Sequence, residues 1–75
     1  MGDNELSMYV VYNRPKDFPN NFVVRRWIIH PGQVEGGELI GVADDLSKAR
    51  RLLPEGLHNL GRYIQDDPCI EEVWI

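Results

Sequence analysis

The 75-residue chain is poor in cysteine and lysine, and it has no apolar run of the length that crosses a membrane. Cys69 alone cannot form an internal disulfide, and its spacing to His30 and His58 is not that of a zinc site. A small secreted domain normally carries several cysteines. No signal-peptide core follows Met1, and Leu6 stands where a myristoylation site needs Ser or Thr. The sequence therefore predicts a cytoplasmic protein without a lipid anchor.

Basic residues are outnumbered by acidic ones, eight against twelve, which gives a net charge of −4. Nonspecific binding of nucleic acid depends on neutralising phosphates, and no RNP, KH or helix-turn-helix pattern is present, so we do not expect a nucleic-acid partner. Six of the eight basic residues are arginines. Their planar guanidinium groups favour paired contacts with carboxylates or phosphates.

The length and composition indicate one globular domain. A chain of this size cannot form two cores, and its hydrophobic fraction of 43% and charged fraction of 27% are ordinary for a folded protein. The polar start, MGDNE, predicts a disordered tail over residues 1–6. We therefore expect a single α+β domain over residues 7–75.

Alternating and β-branched segments predict strands, and one segment has helical periodicity. The strands are expected at 7–13, 22–30, 39–43 and 69–75, with a glycine-rich hairpin loop over 31–38. The segment DDLSKARRLLP predicts a helix of about ten residues, capped by Asp44 or Asp45 and stopped by Pro54 and Gly56. The result is a small, mainly antiparallel three- to four-stranded sheet with one helix packed on one face and the last strand beside the first.

The second strand is apolar on both of its faces. Alternation places Phe22, Val24, Arg26, Ile28 and His30 on one side, and Val23, Arg25, Trp27 and Ile29 on the other. One short helix covers only one side of a sheet, so the other side needs a second cover. That cover is either residues 54–68 and the loops or a homodimer or other protein partner, for which the candidate interface residues are Val23, Trp27, Ile29 and Trp74.

The connector GLHNLGRYIQDDP (56–68) and the arginines form a second group of candidates. Arginines and connector residues could bind a small anionic ligand, with Arg14, Arg26, His30, His58, Arg62, Asp66 and Asp67 as candidate contacts. A hydrolase based on His58 and the two aspartates is a third reading, but no nucleophile elbow, phosphate-binding loop or dinucleotide motif accompanies these residues. We expect neither a cofactor nor a metal, and no catalytic residue is predicted.

Three segments carry a resemblance to other proteins. YVVYNRPKDFPNNFVVRRW, LLPEGL and DDPCIEEVWI resemble segments of short, stand-alone bacterial proteins that are uncharacterised. The resemblance covers most of the chain after the first six residues and implies an independent small bacterial domain. It transfers no catalytic or binding residue. The leading interpretation is a non-enzymatic interaction module that self-associates through an apolar sheet face, and the alternative is an anion-binding protein.

Overall fold

A sheet of short antiparallel strands forms the body of the protein. The computed structural model describes residues 6–61 and 68–75. Its elements, in chain order, are β1 (Leu6–Asn13), β2 (Phe22–His30), β3 (Gln33–Ala43), α1 (Leu46–Arg50), β4 (Asn59–Gly61) and β5 (Ile70–Trp74). β-branched and aromatic residues dominate β1 and β2, and such residues suit a pleated surface that is packed on both sides.

The strand order across the sheet is β3-β2-β1-β5-β4. All four neighbouring pairs are antiparallel, so the first three strands form the predicted meander and β5 returns beside β1. The last strand therefore lies next to the first, as the sequence predicted. This topology places β3 and β4 at the two edges of the described sheet.

The described sheet has five strands, so the predicted count of three to four was too low. The additional strand, β4, lies within the connector, where Asn59 pairs with Trp74 and Gly61 pairs with Val73. His58 continues this pairing, because its backbone N–H and C=O bond to the C=O and N–H of Ile75. The first part of the connector thus widens the sheet, while residues 62–67 lie outside the described part of the chain.

The expected loop over 31–38 was also wrong. Only Pro31 and Gly32 form the turn, and β3 runs from Gln33 onward beside β2. Its register shifts twice against β2, at Gly37 and at Ile40. β-bulges admit an extra residue without ending the strand, and glycine accommodates them easily. The glycines that predicted a loop therefore serve an irregular strand.

The helix is shorter than predicted, with five residues in α1. Asp45 is its N-cap, and its carboxylate accepts a hydrogen bond of 2.8 Å from the backbone N–H of Lys48. Lys48 and Arg50 lie in the last turn, where positive charge favours the helix dipole. The chain continues past Arg51 in non-helical turns, and Pro54 follows.

The core between the sheet and α1 is built of small side chains. Val11, Val24, Ala43 and Ala49 form a buried cluster. Larger side chains pack around this cluster without being fully buried: Tyr9, Phe22, Ile40, Leu46, Leu53 and Trp74. The helix therefore covers the side of the sheet that carries Phe22 and Val24, in agreement with the predicted alternation.

A candidate interaction surface on the helix-free side of the sheet

Strand register assigns each side chain to one of two sheet faces. Residues paired across neighbouring strands share a face. We call the side opposite α1 the helix-free face. Its strand residues are Leu6, Met8, Val10, Tyr12, Val23, Arg25, Trp27, Ile29, Val34, Leu39, Val42, Ile70 and Val73. In this set Arg25 is the one charged residue.

The helix side of the same sheet carries most of the strand charge. By register it holds Arg26, His30, Glu35, Glu38 and Glu72. A sheet with one solvated face normally presents polar side chains on that face and apolar ones under its helix. Here the polarity is partly reversed, because the face without a helix is the more apolar of the two.

Exposure follows the same division. Six large apolar side chains of the described residues are exposed, and four of them lie on the helix-free face: Leu6 (49%), Val34 (59%), Leu39 (45%) and Val42 (39%). Three of these four lie along the edge strand β3, and Leu6 of β1 lies across Ile29 from Val34. A grouping of this kind marks interaction sites more often than solvated surface.

Two aromatic side chains partly cover the centre of the helix-free face. The indole Nε1–H of Trp27 donates a hydrogen bond of 3.2 Å to the hydroxyl of Tyr12. The Trp27 ring also lies against the backbone at Gly37, where a Cβ atom would approach the ring to 2.9 Å. Val10 and Val23, on the same face, are buried. The hydrogen bond between Trp27 and Tyr12 thus holds the two aromatic side chains in one orientation on an otherwise apolar surface.

Arg25 is neutralised within its own chain. Its Nη2 lies 2.9 Å from the Asp17 carboxylate, and its Nη1 donates a hydrogen bond of 2.8 Å to the carbonyl of Gly37. The side chain is only 27% exposed. Arg25, the charged residue in the strand set of the helix-free face, is therefore paired with a carboxylate of its own chain.

A polar network on the helix side joins three elements. Glu72 of β5 is buried, and its carboxylate accepts hydrogen bonds from Arg50 of α1, from the Trp74 indole at 3.0 Å and from Asn59 of β4 at 3.3 Å. The Arg50 hydrogen bond is the main reason that the pKa of Glu72 is lowered, although burial opposes this shift. These contacts tie α1 and the edge strand β4 to β5.

The structure separates several of the predicted ligand-binding residues. Arg26 and His30 share the helix side of β2, but Arg14 follows β1 at the opposite end of the sheet from His30. With nine residues in β2, those ends are about 30 Å apart. His58 precedes β4 at the far edge from β3. The remaining candidates, Arg62, Asp66 and Asp67, lie outside the described residues.

Arg26 and His30 are already engaged by neighbouring groups. Arg26 donates two hydrogen bonds to the Ser7 hydroxyl and lies 3.6 Å from Glu38. His30 Nε2 lies 3.0 Å from Glu35, and this hydrogen bond is the main cause of the lowered Glu35 pKa. Both side chains therefore face carboxylates, which compete with an anionic ligand.

The predicted interface residues do not all lie together. Trp27 and Ile29 are on the helix-free face and are half-buried. Val23 is on that face but is fully buried, so it supports the surface without presenting any area to a partner. Trp74 lies on the helix side, against the core and bonded to Glu72, so it does not share a face with Trp27.

Sequence reasoning missed the contributions of β3 and β1 to this surface. Leu39 and Val42 were placed in a strand, but their face could not be assigned without the bulges. Val34 was placed in a loop. The available signal was the alternation of β1, which places Leu6, Met8 and Val10 on one side of the strand.

Comparison with protein-family models, curated proteins and solved structures finds no match. The resemblance to short bacterial proteins therefore stays a prediction. In the described ranges, 6–61 and 68–75, no helix has the length and apolar character needed to cross a bilayer.

Proposed function

We propose that the protein is a non-enzymatic interaction module whose contact surface is the helix-free face. The observation that carries the proposal is the grouping on this face of Leu6, Val34, Leu39 and Val42, four of the six exposed large apolar side chains of the described residues. Apolar surface of this kind gains free energy when a partner removes it from water, at about 25 cal/mol per Å². A cytoplasmic location fits this role and is part of the proposal.

The division of charge supports the same function. By register, Glu35, Glu38 and Glu72 lie on the helix side, while Arg25 is the one charged residue among the described strand residues assigned to the helix-free face, and it is paired with Asp17. Interface centres are depleted of charge and enriched in aromatic residues and arginine. Trp27, Tyr12 and Arg25 supply that composition at the centre of the face.

Binding of a small anion is the weaker alternative. It draws on Arg26 and His30, which share one side of β2. Each of these side chains already lies beside a carboxylate, Glu38 for Arg26 and Glu35 for His30. A bound anion would have to displace these two carboxylates, and the free energy needed to do so lowers the affinity of the site for the anion.

Covalent labelling with a photogenerated carbene tests whether the helix-free face is open in a single chain. Leu39 on that face, 45% exposed, is compared with Leu52, which is 36% exposed and lies against Gly41 on the helix side. In a sample whose light-scattering mass is that of one chain, we expect the two leucines to be labelled in proportion to these exposures. Strong protection of Leu39 relative to Leu52 in such a sample would mean that the chain covers the face itself, and the proposal would be overturned.

A further inference from the structure

We infer that the partner of the helix-free face is a second copy of this chain, packed face to face about a two-fold axis. This inference rests on the proposed function and adds the identity of the partner. Two sheets would then pack about 10 Å apart, as in a β-sandwich, with one α1 helix on each outer side. In such an isologous contact, the same residues contribute from both copies.

The charge distribution makes the face compatible with itself. Each chain carries a net charge of −4, so two copies repel unless their acids are kept apart. The strand carboxylates Glu35, Glu38 and Glu72 lie on the helix side and would point away from the partner. Arg25 is paired with Asp17 in each copy, so facing arginines would not bring two uncompensated charges together.

The area of the face suits a dimer. The longest described strand, β3, has 11 residues, and the described sheet has five strands. At about 3.3 Å per residue and about 4.8 Å between strands, the face is bounded at roughly 900 Å², whereas a standard stable interface buries about 800 Å² on each partner. The contact would therefore use most of the helix-free face, including its exposed margin at Leu39 and Val42.

The core of one copy leaves much apolar surface for a second copy to bury. Among the described residues, the buried hydrophobic side chains are all valine or alanine. The leucines, isoleucines, phenylalanines and tryptophans of the described ranges are half-buried or exposed. Small domains of this kind commonly depend on an additional source of stability, and oligomerisation is one such source.

Pairing through the sheet edge is the less favourable route for the same two copies. β3 has 11 residues at an edge of the sheet, which is long enough to recruit a strand. However, its register is broken by bulges at Gly37 and Ile40, and it carries Glu35 and Glu38. Bulges and edge charges are the devices that prevent edge-to-edge pairing. We therefore place the contact between the two copies on the helix-free face and not on the edge strand β3.

Sedimentation and light scattering on matched variants test this inference. The wild type and Leu52→Asp, a control on the helix side beside Gly41, should reach about twice the chain mass of 8.7 kDa as concentration rises from about 1 µM to about 1 mM. Leu39→Asp should weaken the dimer at least about tenfold, because each copy would bury an unpaired carboxylate. Val34→Asp, at the most exposed apolar position of the face, provides a second test with little risk to folding. Far-UV circular dichroism confirms that each variant is folded.

The outcomes separate this inference from the proposed function. A wild type that stays a single chain over the whole range, with Leu39 and Leu52 labelled in proportion to their exposures, would overturn the dimer and leave an interaction module for a different protein. A dimer that Leu39→Asp and Val34→Asp leave unchanged would place self-association on another surface and would also overturn the inference. Protection of Leu39 in a single chain would overturn both.

Discussion

Gly37 shows how one residue permits the arrangement of the helix-free face. It has a φ of +83°, in the left-handed region, and the Trp27 ring occupies the space where a side chain would begin. Only glycine satisfies both requirements without strain. The glycines of this segment therefore predicted a loop for a good local reason, while their true role depends on a tryptophan ten positions earlier.

A pair of alanine substitutions separates these two requirements. Gly32→Ala, at φ +79° with no atom within 4 Å of the new Cβ, should lose about 1–2 kcal/mol of unfolding free energy through backbone strain alone. Gly37→Ala has the same strain and adds a clash with Trp27, so it should lose about 1–3 kcal/mol more. Urea unfolding measures both values. Equal losses would show that the Trp27 ring is not held against the backbone.

Glu72 gives the fold a pH dependence whose sign is fixed by its lowered pKa. In the folded protein the carboxylate stays ionised at pH values below its ordinary pKa of 4.5, because Arg50 and Trp74 donate hydrogen bonds to it. Its contribution to stability is therefore present above the unfolded pKa and is lost as pH falls through the folded pKa. Glu72→Gln should be less stable than the wild type at pH 7 by about 1–3 kcal/mol.

The difference in unfolding free energy between the wild type and Glu72→Gln should shrink below pH 4.5 and nearly vanish once Glu72 is protonated in the wild type. Denaturant unfolding from pH 7 to pH 3 measures this convergence. Glu38→Gln is the control, because Glu38 is 64% exposed and lies 3.6 Å from Arg26. A constant difference at all pH values would show that packing, rather than charge, makes position 72 important.

At the scale of elements, local pattern predicted β1 and β2 well and failed where pairing depends on distant residues. The bounds of β2 match the alternating segment FVVRRWIIH. β4 contains only Asn59–Gly61, and it exists because β5 pairs with it, so no local signal could reveal it. β3 extends to Gln33 because β2 supplies hydrogen-bonding partners to a glycine-rich segment.

For the same reason, the sequence predicted which residues of β2 share a face but not the full set of residues on that face. Alternation along β2 indicated that one face would need a cover, and it correctly grouped Trp27 with Ile29. It could not assign Trp74, whose face depends on how β5 pairs with β1. Val34, Leu39 and Val42 also depend on two bulges that shift the register of β3. Alternation along β2 was thus enough to predict one row of the helix-free face, whereas the residues that β1, β3 and β5 add to it follow only from how the strands pair.

The cap of α1 offers a test at this scale. Asp45 accepts the hydrogen bond from the Lys48 backbone, whereas the Asp44 carboxylate is 81% exposed and lies 3.8 Å from the Lys48 ammonium. Asp45→Ala should therefore lose about 0.5–2 kcal/mol of stability. Asp44→Ala should lose much less, because exposed ion pairs contribute little. Thermal unfolding measures the stability of both variants. Equal losses of stability in Asp45→Ala and Asp44→Ala would contradict the assignment of Asp45 as the cap.

At the scale of the whole molecule, the two sides of the sheet differ. One side holds a short helix, the cluster of Val11, Val24, Ala43 and Ala49 and most of the strand charge. The other side is apolar and has no helix among the described residues, with buried valines at its centre and exposed side chains at its margin. Such a chain buries little in isolation, and small domains have little stability to spare. Association through the helix-free face would complete the burial that α1 provides on only one side.

The labelling ratio of Leu39 to Leu52, followed from dilute to concentrated protein, measures whether the helix-free face becomes covered on association. Leu39 is 45% exposed on that face, and Leu52 is 36% exposed against Gly41 on the helix side. We predict labelling in proportion to these exposures for a single chain and a falling ratio as the mass approaches that of a dimer. A low ratio in a sample that contains only single chains would contradict the proposed surface.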